Sequence, residues 1–450
     1  MTTVLISDPT LRDGSHAVRH QFTKEQMQTY MLVAEAAGIP VIEVGHGNGL
    51  GASSLQLGES LVSDEEIFIL ASQTLRKTKI GIHVIPGLAT IHDLKKAIEM
   101  GVHTVRVASH CTEADITKRH IEYTLSQGRE AYGVLMMSHM ASVGLLVQEA
   151  LKMQSYGAQG VIIMDSAGAY LPNDVTERIG ALTAVLTIPV GFHAHNNLGH
   201  AVANSVAALQ AGAQILDATM RGFGAGAGNT QLEVLIPVLH KLGYTTNIDL
   251  SKLLQGANVA EKAFIDKVPT INSISVISGL AGVFSGFAKP VERLSQKYNV
   301  DPHEVFLELG RRKIIAGQED IIIEVVRELA ASKSNTPMKG LNPMLRDRDQ
   351  VEVTYPFQGV ERRVLAHNEK LMLVEHLLAH GSTFPLHSHE HEQIFYILEG
   401  RVRVTCNGEE YEVKAGGSFV IPGGLEHSVY AVEDTVSLDI FTPAREEYII

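Results

Sequence analysis

Two histidines separated by one residue, together with an aspartate near the N-terminus, have the chemistry of a metal site. His193 and His195 belong to the segment GFHAH, and alternate side chains of an extended strand lie on the same side of the chain. Asp13 follows the first apolar run of the sequence. One carboxylate and two imidazoles can hold a divalent cation and leave positions open for substrate and water. A His-x-His pair alone is more often structural, and Asp13 alone could cap a loop, so the prediction requires a fold that brings the three together.

Arg12 and His16 lie in the same N-terminal stretch, SDPTLRDGSH. A guanidinium keeps its charge and, beside a metal, would stabilise an oxyanion such as an enolate. The alternative for Arg12 is a salt bridge to Asp8 or Glu43. An imidazole with a pKa near neutrality suits proton transfer, and the alternative for His16 is a loop histidine without a chemical role. The stretch therefore predicts a catalytic segment at the end of a strand.

Eight short apolar runs recur before about residue 222, and helical patterns that end at glycine separate them. Alternating strands and helices indicate parallel βαβ units, and eight of them indicate a (β/α)₈ TIM barrel, whose active site lies at the carboxyl ends of the strands. A doubly wound sheet is the alternative, although it rarely needs eight units. The apolar runs are residues 4–6, 41–44, 80–84, 104–107, 132–136, 161–164, 190–193 and 215–218.

A glycine-rich segment, FGAGAGNT at residues 223–230, follows the eighth run. Such loops can bind phosphate in barrels. No lysine accompanies these glycines as in a P-loop. A tight turn that lets a helix pack close to the barrel is therefore the favoured interpretation.

The pattern changes twice after the barrel. Residues from about 231 to 330 are mainly helical, and short alternating strands with turn signals begin after residue 345. The second pattern predicts an all-β domain of the small barrel or jelly-roll type. The predicted domains are a barrel at 1–262, a helical extension at 263–332, a linker at 333–345 and the all-β domain at 346–450.

Composition limits the class of protein. The chain has 450 residues, 45% hydrophobic and 19% charged, with a net charge of -13, which argues against a nucleic-acid-binding face. Cys111 and Cys406 match no zinc or redox spacing. Neither a leader pattern nor a membrane-length apolar run is seen, so a reducing cytoplasm is the expected location.

Three motifs resemble one enzyme family. TLRDG, GFHAHNNLG and GAGAGNT are similar to the metal-dependent pyruvate-type lyases, which include 3-hydroxy-3-methylglutaryl-CoA lyase and 2-isopropylmalate synthase. SDPTLRDGSHAVRHQF, EVGHGNGLGASS, MDSAGAY, HAHNNLGHAVANS and QED resemble the 4-hydroxy-2-oxovalerate aldolase family in particular. The resemblance extends from residue 1 to about residue 330.

The resemblance implies a reaction and roles for its residues. Mn²⁺ or another divalent cation would bind the aspartate and the two strand-7 histidines. Arg12 would contact the enolate oxygen, His16 would take the hydroxyl proton, and Ser166 would contact the pyruvate carboxylate. The reaction would cleave a 4-hydroxy-2-oxoacid to pyruvate and an aldehyde through a metal-bound pyruvate enolate, or run in reverse.

One departure from the family concerns the aldehyde side of the pocket. The family carries tyrosines in a glycine-rich stretch that opens the helical extension, and one of them donates a hydrogen bond near the substrate hydroxyl. Leu280 and Phe284 stand at these positions. They are expected to contact the substrate and to make the aldehyde side more apolar. The family also implies an acylating aldehyde dehydrogenase as partner, and a homo-oligomer through the barrel or the all-β domain is expected.

The all-β domain resembles a cupin. Three imidazoles and a fourth ligand from adjacent strands would make a mononuclear transition-metal site. A neutral Gln stands where the fourth ligand is usually Glu; the alternative is a degenerate cupin without metal. The positions that fit the two cupin motifs are Gly381, His387, His389, Gln393 and Gly400, followed by Gly416, Pro422, Gly424 and His427.

These patterns favour a two-site enzyme, in which an aldolase barrel and a metal-binding cupin act on the same or a linked metabolite. An acyl-CoA condensing or cleaving enzyme is the alternative among enzymes. Asn196 and Asn197, however, stand where the condensing enzymes usually carry an acidic residue. A third interpretation makes the cupin a ligand-sensing or oligomerising module that regulates the barrel.

Overall fold

Eight parallel strands close into a barrel in the N-terminal part of the computed structural model. Each strand pairs with the next one along the chain, and β8 pairs with β1. This closure confirms the predicted (β/α)₈ TIM barrel. The strands are β1 (Leu5–Leu11), β2 (Val41–Val44), β3 (Lys79–Val84), β4 (Thr104–His110), β5 (Glu130–Met136), β6 (Val161–Asp165), β7 (Val190–Ala194) and β8 (Ile215–Asp217).

The structure describes residues 3–315, 317–335 and 345–449. The chain forms two units, residues 1–336 and 337–450. The predicted linker at 333–345 lies for the most part outside the described residues.

Helices cover the outside of the barrel, and local sequence explains where several of them begin. Thr23, Ser63 and Thr90 each accept the backbone N–H of the residue three positions on, whose side chain accepts the N–H of the cap in return. Gly38 ends the first helix in the left-handed conformation that favours glycine. The helices are α1 (Lys24–Ala37), α2 (Asp64–Thr74), α3 (Ile91–Glu99), α4 (Lys118–Ser126), α5 (Val143–Ser155), α6 (Pro172–Val185), α7 (Ala201–Gln210) and α8 (Leu232–Lys241).

The barrel strands are buried on both faces, which explains their nearly continuous apolar sequences. β6 and β7 are buried at every position. The polar side chains of these strands lie at the carboxyl end: Asp165 ends β6, and His193 is the next-to-last residue of β7. The fold therefore holds polar groups in a dry environment at one end of the barrel.

Five helices follow α8 and complete the first unit. α9 packs against α1, while α10 to α13 enclose an apolar core of their own that includes Phe287, Phe306 and Val325. None of the helices in the described parts of the chain has the length and apolar character that a membrane span requires. The five are α9 (Leu250–Phe264), α10 (Ser273–Ala281), α11 (Ala288–Tyr298), α12 (Pro302–Arg311) and α13 (Asp320–Asn335).

Two antiparallel sheets form the second unit. One has the strand order β16-β13-β18-β11-β10-β9 and the other β12-β17-β14-β15, which confirms the predicted small all-β domain of the cupin type. Buried residues such as Phe395, Ile397 and Val404 fill the space enclosed by the sheets. The strands are β9 (Val353–Phe357), β10 (Val360–His367), β11 (Met372–Leu378), β12 (Thr383–His387), β13 (Glu392–Glu399), β14 (Arg401–Cys406), β15 (Glu409–Lys414), β16 (Ser418–Ile421), β17 (His427–Ala431) and β18 (Thr435–Thr442).

Candidate functional site

The mouth of the barrel brings together Asp13, His193 and His195. One ligand atom from each lies within 4.8 Å of those of the other two, and all three side chains are buried. β7 carries both histidines, and a 3-10 turn directly after β1 begins with the aspartate. The structure therefore assembles the three residues that the sequence suggests as a cation site.

Hydrogen bonds leave one nitrogen of each imidazole open. Nδ1 of His193 donates to Oδ2 of Asp217 at 2.9 Å, and Nδ1 of His195 donates to the carbonyl oxygen of Asp165 at 3.0 Å. The Nε2 atoms of both histidines are buried and have no hydrogen-bond partner among the described residues. With the proton on Nδ1, each Nε2 presents a lone pair, which is the state of a histidine that ligates a metal. The donor set thus fits a divalent cation.

Asp13 is oriented from both sides. Its Oδ1 accepts from Nη1 of Arg12 at 2.9 Å, and its Oδ2 accepts from Nδ2 of Asn229 at 2.6 Å. Burial opposes ionisation, but the charge of Arg12 and the nearby imidazoles hold the pKa of Asp13 well below its usual value. The carboxylate is therefore ionised, as a metal ligand must be.

The glycine-rich loop serves this orientation. A Cβ on Gly224 would lie 2.5 Å from Oδ2 of Asp13, and a Cβ on Gly228 would meet the carbonyl oxygen of Gly222. Gly222, Gly226 and Gly228 also have positive φ angles. These close approaches support the tight-turn interpretation of residues 223–230. Asn229, near the end of the loop, is a site residue to which the sequence patterns assign no role.

A buried chain of charges links Arg12 to the histidines. Nε of Arg12 donates to Oε2 of Glu43 at 3.0 Å, and Oε1 of Glu43 lies 2.8 Å from Nη1 of Arg106. The same Nη1 lies 2.5 Å from Oδ2 of Asp217, the acceptor of His193. The ion pair of Arg12 with Glu43 therefore exists, but Nη2 of Arg12 stays buried without a hydrogen-bond partner in the described residues.

His16 packs in a group of imidazoles next to this site. Its ring lies against the Cα of Gly47, where an added Cβ would clash with Nε2. The ring of His20 makes an edge contact with it at 5.2 Å between centroids, and His20 stacks on His46 at 3.6 Å. Burial lowers the pKa of His16 to about 4 and that of His20 to about 3. His16 is therefore neutral near pH 7 and able to accept a proton.

Ser166 and Phe284 lie where the helical extension meets the barrel. Oγ of Ser166 accepts the backbone N–H of Met137 at 2.9 Å, so its own proton is free to be donated. The backbone N–H of Ser285 donates to the carbonyl oxygen of Ser166 at 3.3 Å, which places the turn containing Phe284 beside Ser166. Leu280, on α10, is 68% exposed.

A second group of imidazoles lies in the cupin unit. Ligand atoms of His387, His389 and His427 lie within 4.8 Å of one another. Each Nδ1 donates to a nearby backbone carbonyl oxygen at 2.8, 3.0 and 2.9 Å, respectively. This arrangement turns the Nε2 atoms of His387 and His427 away from the backbone, where they could ligate a cation, while Nε2 of His389 faces the side chain of Gln393. Burial, followed by the charge of Arg445, lowers the pKa of His389 to about 4, so this imidazole is neutral near pH 7.

Gln393 is held in position to complete this group. Its Nε2 donates to Oδ2 of Asp439 at 2.6 Å, which turns Oε1 toward Nε2 of His389 at 3.1 Å. The amide therefore presents its oxygen, the atom that can ligate a metal. A cavity adjoins these side chains and is lined by His387, Gln393 and His427.

Comparison with known proteins identifies the class. Residues 3–260 match the family model described as HMGL-like, residues 269–331 that of the DmpG-like communication domain, and residues 374–441 that of the cupin domain. The carboxyl transferase domain of Rhizobium etli pyruvate carboxylase with oxamate and biotin has a similar fold, with a TM-score of 0.63, 14% identity, and coverage of 74% of this chain and 61% of that one. The first unit is thus an HMGL-like barrel with a communication domain.

Relatives define the family more narrowly. A 4-hydroxy-2-oxovalerate aldolase of Pectobacterium atrosepticum is 60% identical over 338 residues, which cover 75% of this chain and 98% of the relative. Another, of Spirochaeta aurantia, is 57% identical over 327 residues, which cover 72% of this chain and 96% of the relative. The chain belongs to the 4-hydroxy-2-oxovalerate aldolase family of carbon–carbon lyases and carries an additional cupin domain.

Proposed function

We propose that the barrel cleaves a 4-hydroxy-2-oxoacid to pyruvate and an aldehyde, or forms it in reverse. The observation that carries the proposal is a set of buried nitrogen atoms that have no hydrogen-bond partner among the residues described: Nε2 of His193, Nε2 of His195 and Nη2 of Arg12. Leaving such groups unpaired is costly unless a ligand or ion satisfies them. The substrate class is taken from the names of the relatives, and the metal-assisted mechanism is inferred from these nitrogen atoms together with Asp13.

Asp13, His193 and His195 would hold the divalent cation, for which we propose Mn²⁺. When bound, the cation would act as a Lewis acid on the 2-oxo oxygen of the substrate. The chain's own groups set up this site, because Asp217 and Asn229 orient two of the three ligands through direct hydrogen bonds. All of these residues are buried, which keeps competing water away.

Arg12 would stabilise the charge that develops during cleavage. As the bond between carbons 3 and 4 breaks, its electron pair moves into the pyruvate enolate. Nη2 of Arg12 is the free donor for that oxygen, while Nε and Nη1 are held by Glu43 and Asp13. A donor fixed in this way does not have to reorganise during the reaction.

His16 would accept the proton of the 4-hydroxyl group on a ring nitrogen. Its pKa of about 4 keeps the imidazole neutral at pH 7. The edge contact with His20 and the close packing against Gly47 hold the ring without using a charged partner. The aldehyde forms as this proton leaves, and the enolate is then protonated at carbon 3 to give pyruvate.

Ser166 would donate its hydroxyl proton to the pyruvate carboxylate. Its oxygen already accepts from Met137, so donation is the role left to it. Phe284, in the turn that contacts Ser166, would border the aldehyde half of the pocket, and Leu280 is proposed for the same side. Neither side chain can donate a hydrogen bond, so a more apolar aldehyde is expected than where tyrosines stand.

The communication domain supports a partner protein, which we take to be an acylating aldehyde dehydrogenase that receives the aldehyde. Residues 263–330 would form the contact. This segment exposes apolar side chains on helices that pack together, including Val276 on α10 and Leu307 on α12. Self-association through the barrel or the cupin domain is also proposed. Leu307→Glu should weaken co-purification with the dehydrogenase, and an unchanged yield of the complex would argue against this surface.

The cupin domain would bind a transition metal through His387, His389, Gln393 and His427 and act on the same metabolite or a linked one. The support is the grouping of three imidazole nitrogens, with the amide oxygen of Gln393 beside them, next to a cavity. A purely structural cupin would not need an amide held by a buried carboxylate in this orientation. The alternative, a regulatory module, predicts metal binding without any chemistry.

Pyruvate release tests the proposal for the barrel. Mn²⁺-loaded protein is given 4-hydroxy-2-oxovalerate, and pyruvate is measured with lactate dehydrogenase. Arg12→Ala should lower kcat by about 10²- to 10³-fold, as removal of one oxyanion-stabilising donor does. Arg12→Lys keeps the positive charge and serves as a second variant in case Arg12→Ala fails to fold. Arg76→Ala, at an exposed position, is the matched control. Full activity in Arg12→Ala would refute the mechanism.

A further inference from the structure

The cupin cavity contains a histidine that its proposed metal ligands do not include. His376 lies on β11, is 2% exposed and lines the cavity together with His387 and His427. Its Nδ1 lies 3.3 Å from Oδ1 of Asp439. Its Nε2 is buried and has no hydrogen-bond partner within the described part of the chain. Buried polar atoms are rarely left without a partner, and a bound ligand or a role in proton transfer would account for this one.

One carboxylate organises both parts of this cavity. Oδ2 of Asp439 accepts from the amide of Gln393, and Oδ1 accepts from Ser437 at 2.8 Å and faces His376. A carboxylate on Nδ1 fixes the tautomer in which Nε2 carries the lone pair. Asp439 thus positions a metal ligand and a proton acceptor at the same time.

The other residues that line the cavity fit a small anion. The guanidinium of Arg445 lines the cavity and lies over the rings of Tyr448 and Phe441, at 4.3 and 5.3 Å from their centroids. Its Nε donates to Glu447 at 2.8 Å, an interaction that leaves both Nη groups for another acceptor. Apolar side chains, including Phe395, cover other parts of the wall. A carboxylate with a short carbon chain matches these surroundings.

We propose that this cavity is a second active site, in which His376 transfers a proton at the carbon next to the carbonyl of a small 2-oxo carboxylate bound near Arg445. The C–H bond breaks, the proton goes to Nε2 of His376, and the electron pair forms the C=C bond of the enolate as the carbonyl oxygen takes the charge. Return of the proton to the carbonyl oxygen gives the enol tautomer, whereas return to carbon restores the 2-oxo carboxylate and exchanges the proton. The step needs no oxidant or reductant.

This inference rests on the proposed cupin metal site, whose cation would polarise the carbonyl oxygen. The two can be tested separately. A His195→Ala background silences the barrel, so metal that remains in the full-length protein belongs to the cupin, and its content is measured by mass spectrometry. Absence of metal would overturn the cupin metal site and this inference with it.

The probe for His376 is pyruvate in D₂O, with deuterium uptake at the methyl group followed by mass spectrometry. The His195→Ala protein should exchange the methyl protons, and a second substitution, His376→Asn, should slow exchange at least 100-fold with metal content unchanged. His380→Asn, in the exposed turn after the same strand, is the matched control and should exchange normally. Asp439→Asn should reduce both exchange and metal content, because Asp439 contacts both partners.

Three further results would overturn the inference. The first is equal deuterium exchange in the His195→Ala protein and in the double variant that also carries His376→Asn. The second is absence of exchange in the His195→Ala protein although it contains metal. The third is loss of both metal and exchange when His376→Asn is added. The last result would assign His376 a structural role.

Discussion

Asp217 offers a demanding test of the barrel site, because it touches no substrate in the proposed mechanism. Its Oδ2 accepts from Nδ1 of His193 at 2.9 Å and pairs with Arg106 at 2.5 Å. Asp217→Asn keeps the volume of the side chain and removes the charge. Arg106 retains Glu43 as a partner at 2.8 Å, so the fold should survive. The expected damage is to the orientation and basicity of His193.

The size of the effect follows from the position of Asp217 behind a ligand. Loss of such a partner costs about 10- to 100-fold in metal affinity or activity, which is about 1.4 to 2.7 kcal/mol. The assay measures pyruvate formation at a series of buffered free Mn²⁺ concentrations, so that activation reports the barrel and not the cupin. The Mn²⁺ concentration for half-maximal activity should rise by that factor in Asp217→Asn.

Asp249→Asn is the matched control. Asp249 accepts the backbone N–H of Lys252 at the start of α9, and Asn caps helices as well as Asp does. This variant should activate with Mn²⁺ like the parent. If Asp217→Asn also had an unchanged activation constant and kcat, the hydrogen bond to His193 would not support metal binding, and the reasoning would be wrong.

Three further outcomes are expected. Gly224→Ala should abolish most Mn²⁺-dependent pyruvate release, because the added Cβ would lie 2.5 Å from Oδ2 of Asp13. The control is Gly180→Ala on α6, where a Cβ would enter open space and activity should be kept. Equal activities of the two variants would contradict this prediction. The pKa of His20 is about 3 in the folded protein and near 6.5 in the unfolded chain, so between pH 7 and pH 5 only the unfolded chain takes up a proton on His20. The contribution of His20 to the free energy of unfolding therefore falls by about 2 kcal/mol from pH 7 to pH 5. His20→Gln should therefore lose less stability over this range in urea unfolding, and an equal loss would count against the assigned burial. Phe284→Tyr should change aldehyde preference or stereochemistry at the hydroxyl carbon in condensation assays with pyruvate, and unchanged selectivity would speak against this position.

The barrel was predictable because its signal is repetitive. Eight apolar runs separated by helical patterns leave few alternatives, and the rule that barrel sites lie at strand ends indicates where Asp13 and His193 must meet. The cupin strands were predicted less completely. β12 and β17, which begin or end at His387 and His427, are short and mixed in polarity, so periodicity does not reveal them.

The supporting residues could not be predicted from local patterns. Asp217 and Asn229 act on residues 24 and 216 positions away. Asp217 lies in the eighth apolar run and Asn229 in the glycine-rich segment, but neither pattern indicates which distant side chain each one contacts. The stacking of His20 on His46 depends on a left-handed backbone at His20, with φ of 62°, which only the folded chain shows. The exposure of Leu280 likewise depends on how α10 packs.

A crystal structure of the Mn²⁺-loaded protein with pyruvate tests the proposed mechanism most directly. Anomalous scattering from manganese should place one ion on Asp13, His193 and His195, with Nη2 of Arg12 within hydrogen-bonding distance of the 2-oxo oxygen of pyruvate. A manganese ion bound elsewhere in the barrel, or pyruvate bound away from Arg12, would contradict the mechanism.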